Sequence, residues 1–274
     1  MRAPAKINLT LRVLGLRLDG YHELQTTFQS LALHDTLTIR ATRGPFRIEC
    51  DDPVVPTGRR NLVWRAAAGV WRASGRRGAP RGVLVQIAKR IPMQAGLGGG
   101  SSDAAAALRA LGRRWRVGRA TLRAIAASIG ADVPYFFEGG TALGVERGDL
   151  LFPLTDHPAA WAVLVLPAFG VSTKDAYGWF DKDNRHGGLA PRRTANDLQK
   201  PVATRHPEIA RLVRALRRLG AHSAAMSGSG SAVFGLFGTR PRARRAIRAL
   251  ASATRRTVLT RTVSRAEYRR LVGG

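Results

Sequence analysis

The stretch Pro92-Met93-Gln94-Ala95-Gly96-Leu97-Gly98-Gly99-Gly100-Ser101-Ser102-Asp103, followed at once by the alanine-rich run Ala104 to Leu111, constrains the local fold more than any other part of the sequence. Four glycines within five residues let the backbone turn tightly and approach a ligand closely. The alanine run has helical character. A helix that starts here aims its unpaired N–H groups and the positive end of its dipole back at the loop. Loop and helix together read as an anion cradle, with Ser101 and Ser102 offering hydroxyls to phosphate oxygens or to Mg2+. A flexible turn capped by serine is the other reading. Two common nucleotide loops are excluded. No Gly-Lys-Ser/Thr follows, as a P-loop requires. The position where a dinucleotide fingerprint needs its last glycine holds Ser101.

Around this loop the hydrophobic pattern mixes strands and helices. Ile7, Leu9 and Leu11 alternate with Lys6, Asn8 and Thr10, the period of a strand. Glu23 to Leu31, Thr36 to Ala41, Phe46 to Cys50 and Val83 to Ala88 are β-like. Asn61 to Ser74 has helical spacing with Gly75 as its stop, and Thr121 to Ile129 is a second helix. After Asp132-Val133-Pro134 the pattern reads as extended from Tyr135 to Leu154. Pro153 and Pro158 bracket a boundary that divides the chain into residues 1–155 and 156–274. The second part opens on a buried strand, Trp161 to Leu166. A short helix near Lys174 to Phe180, a polar loop from Asp181 to Thr194 and a helix from Ile209 to Leu219 come next. A strand from Ala232 to Phe237, a helix from Arg242 to Ala253 and a strand from Thr257 to Val263 complete it. There is no strict βαβ alternation, which argues for an α+β fold with antiparallel sheet.

Composition narrows the function classes. The 274 residues carry a formal net charge of +27 and 45 basic side chains, of which only five are lysine. Such charge raises nucleic-acid binding as a class. The arginines are, however, scattered as singles and doublets such as Arg76-Arg77, Arg113-Arg114 and Arg217-Arg218, whereas a nucleic-acid reader concentrates charge on one helix or arm. The single cysteine, Cys50, forms no internal disulfide or CxxC metal pair, which fits a reducing cytoplasm; a lone nucleophile is the other reading. The longest apolar run, Ala159 to Phe169, is broken by Pro167 and falls short of the ~20 residues of a membrane span. The N-terminus has no uninterrupted apolar segment of the signal-peptide kind.

The loop at Pro92 to Asp103 resembles the second motif of the GHMP kinases, the superfamily of galactokinase, homoserine kinase and mevalonate kinase. Pro4-Ala5-Lys6-Ile7-Asn8-Leu9 resembles the first motif, and Met226-Ser227-Gly228-Ser229-Gly230-Ser231 the third. The three lie in order across nearly the whole chain. The resemblance implies an α+β, two-domain kinase: a first domain similar to part of a ribosomal protein, and a second, ferredoxin-like α/β sandwich. Between them lies a cleft in which Pro92 to Ser102 wraps the phosphates of ATP with Mg2+. The metal ligands themselves are not legible.

Further segments resemble the branch of the family that phosphorylates a cytidine-diphosphate-linked methylerythritol for isoprenoid synthesis: Asp19-Gly20-Tyr21-His22-Glu23-Leu24, Gly130-Ala131-Asp132-Val133-Pro134, Ser172-Thr173-Lys174-Asp175-Ala176-Tyr177 and Asn196-Asp197-Leu198. By that resemblance Asp132 is the general base. Lys6 stabilises both the developing alkoxide and the Asp132 carboxylate, so the two should lie within ~6 Å beneath the loop. Asn8 and Thr173 should contact substrate and Arg147 its diphosphate. Tyr21 and Tyr177 should stack on cytosine, at ~1–3 kcal/mol per stacked base, and His22 should read the base edge. Gln199 stands where the family commonly has an acidic residue. The expected partners are small molecules, with no specific nucleic acid and no membrane, in a monomer or homodimer. A kinase for another small alcohol, such as homoserine or mevalonate, is the nearest alternative. A basic nucleic-acid-binding protein is the more distant one.

Overall fold

A computed structural model describes residues 1–184 and 194–273. Strand β1 (Arg2–Leu16) runs antiparallel to the long strand β2 (His22–Pro45), turning through Asp19-Gly20. The order continues with β3 (Arg47–Cys50), α1 (Leu62–Ala73), β4 (Arg81–Ala88), α2 (Gly99–Trp115), α3 (Arg119–Ile129), the single turn α4 (Tyr135–Glu138), β5 (Thr141–Glu146) and β6 (Leu150–Pro153). These strands form a six-stranded sheet of order β3-β4-β2-β5-β6, with β1 joined to β2. Only β3 and β4 are parallel. The remaining elements are β7 (Trp161–Pro167), α5 (Thr173–Asn184), α6 (Gln199–Arg205), α7 (Glu208–Arg218), β8 (Ser223–Met226), β9 (Val233–Phe237), α8 (Arg240–Leu250), β10 (Arg255–Arg261) and α9 (Arg265–Gly273). They contain an antiparallel four-stranded sheet of order β10-β7-β9-β8. The α+β expectation agrees with this architecture.

Local chemistry explains several of these elements. Asn61 caps α1 by accepting the Val63 N–H at 2.8 Å. Helix α2 is alanine-rich because Ala104 to Ala107, Leu108 and Leu111 are all buried, and small side chains let it lie close against the sheet and α1. Strand β7 is an unbroken apolar run because both of its faces are covered. Val163 and Val165 enter the core beneath the second half's helices, while Ala162, Leu164 and Leu166 pack with Ala5, Ile7 and Leu31 of the first half. That shared layer joins the two sheets.

The structure corrects several expected elements. The β-like segments 23–31 and 36–41 are one strand, β2. The polar His34-Asp35 does not interrupt it, because the Asp35 carboxylate accepts the backbone N–H groups of Arg90 and Ile91. The extended reading after Pro134 fails at Tyr135 to Glu138, which is helical. Helix α2 begins at Gly99, inside the glycine run, rather than at Ala104. The expected loop from Asp181 is helical to Asn184, and residues 185–193 of that loop lie outside the described residues. Elements α6, β8 and α9 lie in segments to which the sequence pattern assigns no element.

Helix α9 belongs to the first core. Tyr268 (1% exposed) and Val272 pack with Phe28, Tyr135 and Phe136, and the Tyr268 hydroxyl donates to the Phe136 carbonyl at 2.5 Å. Replacing Tyr268 by Ala should cost about 3–5 kcal/mol of stability, the range for emptying a large aromatic site, read from denaturant unfolding. A loss below about 1 kcal/mol would show that α9 is an appendage and not part of this core.

Candidate active site

Lys6 is 3% exposed, and a buried ammonium needs acceptors. Its Nζ donates to Asn8 Oδ1 at 2.7 Å and lies 3.3 Å from Asp132 Oδ2, with the Phe28 ring centroid at 5.5 Å. Asp132 sits at the open end of this pair, its side chain 36% exposed. It occupies the turn between α3 and α4, anchored by fully buried Val133, whose N–H donates to the Gly130 carbonyl. Lys6 and Asp132, far apart in sequence, thus meet well inside the ~6 Å that their expected roles demand. Asn8 stands beside the pair: its Oδ1 accepts from Lys6 and its Nδ2 donates to Thr26 Oγ1 at 2.7 Å, so its buried amide orients the lysine.

The glycine loop lies over this pair. Lys6 N donates to the Leu97 carbonyl at 3.0 Å. Gly98, at φ +71°, precedes the first turn of α2, and a Cβ there would fall 2.8 Å from Phe136 Cζ and 3.0 Å from Lys6 Cγ. At Gly100 a Cβ would meet the Leu62 Cδ1 at 4.0 Å, an ordinary contact. The first-turn N–H groups of α2 are thus placed where they could serve as an anion cradle, beside the segment Pro92 to Leu97. Gln94 adopts φ +51° and Met93 is 39% exposed. Ser101 is half-buried in the first turn. Ser102 is 1% exposed, and its hydroxyl donates to the Pro4 carbonyl at 2.7 Å, tying the helix to β1.

The loop at Met226 to Ser231 closes on the first. Ser227 Oγ donates to the Gly96 carbonyl at 2.9 Å and accepts from Asn8 N at 3.3 Å. Buried Asn196 donates to the carbonyls of Met226 and Gly228, and Asp197 binds Arg12 and the Val13 N–H of β1. Gln199 Oε1 accepts the Met226 N–H at 2.9 Å, the acceptor role an acidic side chain would also fill.

At the far rim, the Asp19-Gly20 turn presents Tyr21, 55% exposed, with the Arg147 guanidinium 5.2 Å from its ring centroid. Arg147 also pairs with Asp149. His22 stacks on Tyr177 with centroids 4.7 Å apart. Burial first, and then the Asp132 charge, push the Tyr177 phenol well above its usual range. Thr173 Oγ1 lies 3.3 Å from Ser229 Oγ, between α5 and the loop at 226–231.

Comparison with known proteins decides the family. The profile described as "GHMP kinases N terminal domain" matches residues 61–140, and "GHMP kinases C terminal" matches residues 183–255. The 4-diphosphocytidyl-2-C-methyl-D-erythritol kinase of Anaeromyxobacter dehalogenans is 44% identical, over 96% of this chain and 90% of its own length. That of Moorella thermoacetica is 41% identical, over 95% and 98%. A crystal structure of 4-(cytidine 5'-diphospho)-2C-methyl-D-erythritol kinase superposes with a TM-score of 0.79 at 37% identity, over 96% of this chain and 98% of that one. The chain belongs to this family of GHMP kinases.

In this GHMP kinase the sequence reading missed one buried cluster. Lys89 Nζ donates to Asp35 Oδ2 at 2.5 Å and to Asp103 Oδ2 at 2.9 Å, clamping the end of β4 and the start of α2 to β2. The available signal was the scarcity of lysine: Lys89 is one of only five. Burial raises the Asp103 carboxyl to about 7, against the pull of Lys89 and with the help of Asp35.

Two predictions follow from this geometry. Gly96 has φ +71°, and a Cβ there would lie 2.0 Å from the Ser227 carbonyl oxygen. Gly96→Ala should therefore displace one loop from the other and raise the KM for ATP at least tenfold; an unchanged KM would mean the loop contact is dispensable. Folding favours the protonated form of Asp103, so its contribution is complete at low pH and is lost as pH rises toward about 7. Between pH ~4 and ~7, wild type should lose stability relative to Asp103→Asn in paired urea titrations. Parallel curves would refute the raised carboxyl.

Proposed function

We propose that this GHMP kinase transfers the terminal phosphoryl group of ATP to the 2-hydroxyl of 4-diphosphocytidyl-2-C-methyl-D-erythritol, giving the 2-phosphate and ADP. The observation that carries the reading is the buried Lys6 paired with the half-open Asp132 beneath the glycine loop, together with an aromatic rim of Tyr21, His22 and Tyr177 suited to a base. Relatives named for that substrate support it.

Phosphoryl transfer asks a protein mainly for positioning and charge stabilisation. The loop from Pro92 to Ser101 and the N–H groups of α2 hold the phosphates of ATP. Asp132 takes the proton of the substrate hydroxyl as its oxygen bonds to the terminal phosphorus and the bond to the bridging oxygen of ADP breaks. Lys6, held by Asn8, stabilises the developing alkoxide. Tyr21 and Tyr177 flank the cytosine, with His22 at its edge. Arg147 faces the diphosphate, and Thr173 closes the substrate side. Among the described residues no three His, Cys, Asp or Glu side chains converge on a metal position. This fits Mg2+ carried chiefly by phosphate oxygens, where it would neutralise their charge. Among the described residues no helix is long and apolar enough to cross a membrane. The free Cys50 supports a reducing, cytoplasmic setting. The proposed division of the halves, at residues 155 and 156, falls between β6 and β7.

Purified protein with Mg-ATP should release ADP with 4-diphosphocytidyl-2-C-methyl-D-erythritol and not with homoserine or mevalonate supplied in parallel. Turnover of another alcohol alone would overturn the substrate. Asp132→Asn should cut kcat about a hundredfold or more while KM moves little. A near wild-type kcat would remove Asp132 from the role of base.

A further inference from the structure

His22 and Asp181 come from different halves of the chain, at the start of β2 and near the end of α5. The His22 Nε2 and Asp181 Oδ1 atoms are 2.7 Å apart. The His22 side chain is 11% exposed and that of Asp181 is 42% exposed. The imidazole is fixed in plane as well as in place. Tyr177 stacks on it with an interplanar angle of 26°, and Phe180 meets it edge-on at 88°. A carboxylate only accepts hydrogen bonds, so the ring nitrogen facing Asp181 carries its proton. In the neutral imidazole this leaves Nδ1 as a bare acceptor. Among the described residues Nδ1 makes no hydrogen bond.

This arrangement bears on which pyrimidine the rim admits, and the inference rests on the cytidine reading above. Cytosine presents an exocyclic amine, a donor, where uracil presents a carbonyl oxygen, an acceptor. We propose that Asp181 is a positioning residue for base selection. It holds the His22 proton on Nε2, so that Nδ1 accepts from the cytosine amine and opposes the uracil oxygen. A site that presents a fixed acceptor rejects a ligand lacking the matching donor, because neither group is then satisfied once water is excluded. Asp181 itself touches no substrate in this scheme and acts only through His22.

The test measures cytidine diphosphate and uridine diphosphate binding by calorimetry to wild type, Asp181→Asn, Asp181→Ala and Asp181→Glu, with melting temperature and KM for ATP alongside. An asparagine offers both an acceptor and a donor to Nε2 and so permits either tautomer, whereas glutamate keeps an acceptor alone. Wild type should prefer the cytidine ligand by about tenfold or more. The Asn and Ala variants should narrow that preference to about threefold or less, with melting temperature and ATP KM unchanged, and the Glu variant should keep the wild-type order. If the Asn and Ala variants retain the full preference, the role of Asp181 is overturned while the base reading stands. A narrowed preference accompanied by a lower melting temperature would reduce Asp181 to a structural contact and overturn the proposal too. If wild type binds both diphosphates equally, the cytidine reading itself falls, and this inference with it.

Discussion

A lysine ammonium taken out of water is stable only where carboxylate and amide oxygens surround it, and much of the site follows from meeting that demand for Lys6. Asp132 must come to it from the turn after α3, which Val133 pins into the core. Asn8 must stand beside it, which fixes the local pleat of β1 and engages Thr26 on β2. The glycine loop must lie above it without side chains, because Gly98 has no room for a Cβ between Phe136 and Lys6. Such a pair is weak evidence for stability, since the cost of drying two charges can exceed their attraction. Its retention beneath an anion cradle is better explained by chemistry.

Strand β1 turns this local requirement into an assembly of two halves. Along its length it supplies Lys6 N to the glycine loop, Asn8 N to Ser227, Leu11 N to Ala195 and Val13 N to Asp197. One strand thus bonds to elements of both halves, and the cleft has a continuous covalent floor. The loop at 226–231 is in turn set by the Asn196 amide, which donates to its carbonyls, and by Gln199 Oε1, which accepts the Met226 N–H.

Much of this was legible in the sequence, for identifiable reasons. Glycine spacing and a following alanine run reveal a close backbone approach whatever the family. Alternation reveals β1, and a continuous apolar run reveals the doubly covered β7. The sequence is silent where a distant partner decides local structure. Asp35 carries β2 through a polar dipeptide by capping residues some 55 positions later in the chain. Ser102 turns inward because the Pro4 carbonyl needs a donor. Asn8 orients Lys6 because the lysine is buried. Asp181, an ordinary exposed acid by sequence, gains its interest only from a histidine in the other half. In each case periodicity and composition describe the residue correctly and are silent about its partner.

The placement of α9 also orders the chain's biogenesis. Val263, Tyr268 and Val272 fill the first core beside residues such as Ala3 and Phe28. During synthesis that core cannot be completed while the ribosome is still making the second half. The early-emerging sheet must wait, partly uncovered, through the translation of β7 to β10. Domain-by-domain maturation, the usual order for chains of this size, is therefore closed to the first half. Helix α9, made after the second half's sheet, thus seals the part of the structure that is made first.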